Sequence, residues 1–64
     1  MATVRVDPKV QKLHRVAAGI RNGHDRMTDE RAYELATQAL EAVGYASLAA
    51  TRRWLTANRI RYNF

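Results

Sequence analysis

Residues 28–57 read TDERAYELATQALEAVGYASLAATRRWLTA, and this stretch decides the fold. It opens with Thr28, a residue type that favours the N-cap of a helix, followed by two acidic residues that suit the positive end of the helix dipole. Apolar residues then recur at the spacing of one helix face, and Gly44 provides a stop. The pattern predicts a helix over about 29–43, with an apolar stripe made of Leu35, Ala36, Ala39, Leu40 and Val43.

A shorter helix follows the tight connection Gly44-Tyr45-Ala46. Ser47 is a suitable N-cap, and Asn58 can end the helix because Asn tolerates the left-handed backbone conformation. We therefore predict a helix over 48–57, with an inner face formed by Leu48, Thr51, Trp54 and Leu55. Its outer face carries Ala49, Arg52, Arg53 and Thr56.

The N-terminal part of the chain predicts one more helix. Asp7 followed by Pro8 is a favourable start, and Asn22-Gly23 is a stop. The helix should span about 8–21, with an apolar stripe made of Val10, Leu13, Val16, Ala17 and Ile20.

Both ends of the chain alternate between apolar and polar residues, which is typical of strands. Ala2–Val6 and Ile60–Phe64 are the two predicted strands, and they would pair with each other or across a homodimer. The predicted fold class is therefore mainly α. It is a single small domain over residues 1–64, with three helices in a helix-turn-helix-like arrangement and short N- and C-terminal strands.

Length and composition exclude several classes of protein. A chain of 64 residues forms one domain, and the lack of Cys excludes tetrathiolate zinc sites, iron–sulfur clusters and thiol catalysis. His14 and His24 lack the further ligands that zinc needs, so we expect surface histidines and no metal. No apolar run approaches the ~20 residues of a membrane span. We expect a cytoplasmic protein that is not an enzyme, needs no cofactor and has no membrane partner.

Charge is distributed unevenly along the chain. Eleven basic and six acidic residues give a net charge of +5, and nine of the eleven basic residues are Arg. Residues 1–26 carry a net +4, residues 27–45 a net −3, and residues 46–64 a net +4. Since arginine pairs with phosphate in a planar fork, this distribution favours a surface that binds a polyanion, most simply nucleic acid.

Two short helices joined by a turn that contains glycine are typical of helix-turn-helix proteins, in which the second helix enters the major groove of DNA. Here Ser47, with the free amides at the helix start, would hold a backbone phosphate. Arg52 or Arg53 would reach guanine as a fork, with Thr56 beside them in the groove. Arg59 and Arg61 would contact phosphates as a small wing does. The alternative is a helical hairpin with a solvated arginine face.

The end of the chain resembles a known family. Gly44-Tyr45, Trp54-Leu55, Asn58, Ile60 and Tyr62 resemble the ending of a small phage-encoded family of uncharacterised function. Residues 52–60 are also similar to excisionase and MerR-like winged helices, and the two resemblances cover residues 37–64. They imply a phage or prophage DNA-binding protein, either a transcriptional regulator or an excisionase-like factor. Arg59 departs from the phage family, which usually has Gly there, so we expect a different turn at this point.

Three alternatives remain open from the sequence. The opening Thr3-Val4-Arg5-Val6-Asp7-Pro8 resembles ribbon-helix-helix repressors, in which paired strands of a dimer would read DNA through Thr3 and Arg5. A small phage protein can instead bind and inhibit a host protein, through the acidic second helix or the apolar edge near Tyr62 and Phe64. RNA satisfies the same charge argument as DNA.

Overall fold

The computed structural model describes residues 7–64, and it contains three helices: α1 (Pro8–Asn22), α2 (Asp29–Ala42) and α3 (Leu48–Ala57). The mainly α fold class is confirmed, and each helix end lies within one residue of its predicted position. The predicted strand Ala2–Val6 lies outside the described residues. Within residues 7–64 none of the three helices is long and apolar enough to cross a bilayer.

Side-chain caps fix where the helices begin. The side chains of Asp7, Thr28 and Ser47 accept hydrogen bonds from main-chain amides two or three residues later, at 2.9, 3.2 and 3.1 Å. Each cap satisfies one of the amides that have no partner inside the helix. Pro8 follows the first cap at a position where its missing N–H costs nothing.

The core lies where the three helices meet. Its buried side chains are Val16, Ala17 and Ile20 from α1, Ala32, Leu35, Ala36, Ala39 and Leu40 from α2, and Thr51 and Leu55 from α3. Four of these are alanines, which leave little side-chain volume between the helices. Thr51 is the polar member, and its hydroxyl donates to the Ser47 carbonyl at 2.9 Å. The inner face predicted for α3 is confirmed, with Leu48 and Trp54 half-buried at its margin.

Both α2 and α3 end in the same left-handed motif. After α2, the Gly44 amide donates to Glu41 and the Tyr45 amide to Leu40, at 3.1 and 2.8 Å. Gly44 has the positive φ that this motif requires, 61°.

After α3, the same two bonds run from Arg59 to Thr56 and from Ile60 to Leu55, at 3.1 and 2.9 Å. The left-handed residue is Arg59 (φ 58°). Asn58 ends α3 as predicted, but it does not take the left-handed conformation: it keeps φ −96°, and its side-chain amide donates to the Trp54 carbonyl at 2.8 Å. Arg59 therefore has the backbone conformation that a glycine at position 59 would favour.

The predicted strand Ile60–Phe64 is wrong, since no strand is present within residues 7–64. These residues, which we call the C-terminal segment, instead run along α1. The Asn63 amide donates to the Gly19 carbonyl at 2.8 Å, and Gly19 is one of the last four α1 carbonyls, which lack helical partners. The C-terminal end of α1 and the edge of the core therefore provide the hydrogen bond and the packing contacts that a neighbouring strand would otherwise provide.

Candidate nucleic-acid interface

The acidic segment of the sequence forms an exposed acidic face on α2. Glu30, Glu34 and Glu41 recur at helical spacing on α2 and are all exposed. They lie on the side of α2 opposite Ala36 and Ala39, which are buried. The acidic side chains therefore face solvent on the outside of α2, away from the core.

Arg53 lies on the outer face of α3. It is exposed, as are Ala49 and Thr56, and helical spacing places all three opposite the buried Thr51 and Leu55. In the described part of the chain, ion pairs join Arg21 to Asp29 and Arg31 to Glu34. Arg53 takes part in neither, so its guanidinium is available to a partner.

Three of the predicted side chains come together at the C-terminal end of α3. Thr56, Arg59 and Arg61 line one shallow groove of about 440 Å³, together with Gly23 and Tyr62. Both arginines are exposed, and the Thr56 and Tyr62 hydroxyl oxygens lie 3.4 Å apart. Two exposed arginines and two residues with hydroxyl groups line this open groove, and side chains of these types bind anionic ligands such as a phosphate group.

Arg52 is placed differently from its prediction. The outer-face pattern of α3 groups it with Arg53, yet Arg52 is half-buried. Its Nε donates to the Phe64 main-chain oxygen at 3.1 Å, and its guanidinium carbon lies 5.0 Å from the centre of the Phe64 ring. Arg52 therefore lies at the edge between α3 and the C-terminal segment.

Ser47 lies at the other end of α3 from the groove. At about 1.5 Å per residue, the ten residues of α3 separate the two ends by roughly 15 Å. The Ser47 hydroxyl is already used as a cap for the Ala50 amide. Any phosphate bound here would be held by the first free amides of α3.

Two lysines of α1 that were not predicted as site residues place positive charge near the start of α3. Lys12 Nζ donates to the Tyr45 carbonyl at 2.9 Å and lies 3.5 Å from the Ala46 carbonyl. Lys9 Nζ lies 5.5 Å from the centre of the Tyr45 ring. Two ammonium groups thus hold the turn before Ser47 and place positive charge near the start of α3. Their position outside the α1 apolar stripe is visible in the sequence, but their partner is not.

The two histidines make contacts within the fold. His14 Nδ1 bonds the Tyr33 hydroxyl, and the two rings meet edge to face at 5.4 Å. His24 Nδ1 lies 2.8 Å from the Ile20 carbonyl, at the end of α1. Beside His14 a groove of about 230 Å³ runs between α1 and α2, with alanines on its floor.

In comparisons with protein-family models, curated proteins and solved structures, the chain matches none. The likeness to the phage family and to excisionases therefore remains a resemblance of the residues quoted above. The proposed function therefore rests on the positions and charges of the side chains described above.

Proposed function

We propose that this protein binds nucleic acid, with duplex DNA as its target, through the basic surface of α3 and the residues that follow it. Arg53, Arg59 and Arg61 would supply the positive charge, and Thr56 would contact the DNA backbone between them. In its cellular role it would be a small cytoplasmic regulator or excisionase-like factor of a phage or prophage.

The observation that carries this proposal is the separation of charge between two faces. Acidic side chains are collected on the outside of α2, whereas Arg53, Arg59 and Arg61 are exposed and take part in neither of the ion pairs found within residues 7–64. Exposed like charges repel one another and favour association with a polyanion. An ordinary solvated surface would mix the two signs.

Phosphate contacts should dominate this interaction. Three exposed arginines near one helix end can follow a phosphate backbone, and such contacts fix register without reading sequence. Because each neutralised phosphate releases counterions, the affinity should fall steeply as salt increases. Base recognition would come from Arg53 and Thr56 if α3 enters the major groove.

The test is to measure binding to random duplex DNA at about 50 mM and about 200 mM salt. We expect binding that weakens strongly between the two conditions. The single variants Arg53→Gln, Arg59→Gln and Arg61→Gln should each lower the slope of log affinity against log salt by about 0.9, the value for one lost phosphate contact.

Arg31→Gln is the matched control. It removes the same charge from the acidic helix α2, where Arg31 is paired with Glu34. The salt slope should then stay at the wild-type value. If the wild-type protein fails to bind at the lower salt, the proposal is wrong, and a host protein becomes the expected target. If it binds single-stranded RNA more tightly than duplex DNA, the target class is wrong.

A further inference from the structure

Phe64 contacts the Arg52 guanidinium in two ways. The Phe64 main-chain oxygen accepts a hydrogen bond from Arg52 Nε at 3.1 Å. The Phe64 ring lies 5.0 Å from the guanidinium carbon, within the range of a cation–π contact. The hydrogen bond and the ring contact together restrict both the position and the tilt of the guanidinium plane.

These contacts leave most of the hydrogen-bonding capacity of Arg52 unused. A guanidinium carries five N–H donors, and only the one on Nε is engaged here. Contact with an aromatic ring consumes none of them. Within residues 7–64 the two terminal nitrogens make no hydrogen bond, so a pair of parallel donors remains for a ligand.

Phe64 is itself anchored to α1. The neighbouring Asn63 amide donates to the Gly19 carbonyl at 2.8 Å, and the Tyr62 ring lies 5.1 Å from the Phe64 ring. At Gly19 a side chain would collide with Phe64, since a Cβ there would lie 2.1 Å from its Cδ1. The aromatic ring that faces Arg52 is therefore fixed against a helix of the core.

We propose that Phe64 is a positioning residue for Arg52, which it holds as a two-pronged donor for a backbone phosphate of the bound nucleic acid. This rests on the function proposed above. Arginine binds phosphate through two parallel N–H bonds, and fixing the fork in advance removes the entropy cost of ordering a long side chain on binding. Arg52 thereby adds a fourth arginine, at the edge between α3 and the C-terminal segment, to Arg53, Arg59 and Arg61.

The experiment measures duplex DNA affinity at about 50 mM salt together with the salt slope. Phe64→Leu keeps an apolar side chain but removes the ring face. We expect it to weaken binding about 3- to 10-fold, the factor for ordering one long side chain, with an unchanged salt slope because the charge is still present. Arg52→Gln should lower the slope by about 0.9. In that background Phe64→Leu should have no further effect on affinity.

A second variant keeps the C-terminal segment intact in case Phe64→Leu unfolds the protein. Arg52→Lys retains the charge but lacks the planar fork, so it should also lose about 3- to 10-fold in affinity with an unchanged slope. Phe64→Tyr keeps the ring and should bind like the wild type.

Three results would overturn this inference while leaving the proposed function in place. Tighter binding by Phe64→Leu would mean that the contact withholds Arg52 from DNA. An equal loss in the wild-type and Arg52→Gln backgrounds would mean a general structural role for Phe64. Unchanged affinity in Arg52→Gln, with losses in Arg53→Gln and Arg61→Gln, would exclude Arg52 from the interface. A wild-type protein that does not bind DNA would overturn both proposals.

Discussion

The three helices and the C-terminal segment show opposite relations between local sequence and structure. Caps, apolar spacing and stops predict each helix to within one residue. The alternation in Ile60–Phe64 is an equally regular local pattern, yet no strand forms there. A helix satisfies its hydrogen bonds within itself, whereas a strand needs a partner that its own sequence does not specify.

The alternation nevertheless predicts correctly which side chains face inward. Ile60, Tyr62 and Phe64 are half-buried against the core, and Arg61 and Asn63 between them are exposed. Any extended chain presents its side chains to alternate sides, whether or not it pairs in a sheet. The partner here is the surface of α1, where the Asn63 amide donates to the Gly19 carbonyl.

The largest expected difference between the two regions concerns stability. Leu55 is fully buried at the end of α3, so Leu55→Ala should cost about 2–5 kcal/mol and unfold much of so small a domain. Phe64→Ala should cost about 1–2 kcal/mol, because only a half-buried ring is lost. Urea unfolding measures both, and hydrogen exchange should show the loss in Phe64→Ala confined to the amides near Asn63 and Gly23. Uniform loss of protection in Phe64→Ala would show that the segment is part of the cooperative core.

The second prediction concerns the contact at Gly19. Gly19→Ala should destabilise the protein by about 1–2 kcal/mol, because the new methyl group displaces Phe64. In a Phe64→Ala background the same change should stabilise it by about 0.5–1 kcal/mol, since alanine is the better helix residue once the space is free. Thermal unfolding of the four proteins in this cycle gives the sign in each background. Stabilisation by Gly19→Ala in the wild-type background would contradict the close packing of Phe64 on α1.

In the candidate site, as in the fold, local sequence patterns predict some features and distant contacts determine the others. The exposure of Arg53, Thr56, Arg59 and Arg61 is predictable, because helical spacing and alternation alone give the outward side. The placement of Arg52 is not, since its partner Phe64 lies twelve residues away and reaches it only through a segment that was predicted to be a strand. The bonds from Lys12 to the turn before α3 span more than thirty residues and leave no local signal.

A smaller effect is expected at the end of α2, where the sequence signal was sufficient. Gly44 has φ 61°, and a Cβ there would meet nothing within 4 Å. Gly44→Ala should therefore cost about 1 kcal/mol through backbone conformation alone. Gly44→Asn should lose less, because Asn tolerates the left-handed region. Chemical denaturation compares the two variants, and equal losses would mean that the backbone strain is not the cause.

The smallest effect is expected at the end of α3, and it should have the opposite sign. Arg59 takes the left-handed conformation (φ 58°) that Gly44 takes after α2, but it bears a side chain. Arg59→Gly removes that backbone strain, which costs about 1 kcal/mol. Glycine also increases the conformational freedom of the unfolded chain, which offsets part of the stabilisation. We expect a net stabilisation of a few tenths of a kcal/mol, measured as a raised midpoint of urea unfolding.

Arg59→Lys is the control for Arg59→Gly, because lysine keeps both the charge and the strain. Its unfolding midpoint should match that of the wild type. A lowered midpoint in Arg59→Gly would mean that the Arg59 side chain stabilises the fold by more than its backbone strain costs. The loss of charge in Arg59→Gly should also flatten the salt dependence of DNA binding, whereas Arg59→Lys should preserve it. The two variants thus separate what this residue does for the turn from what it does for the proposed interface.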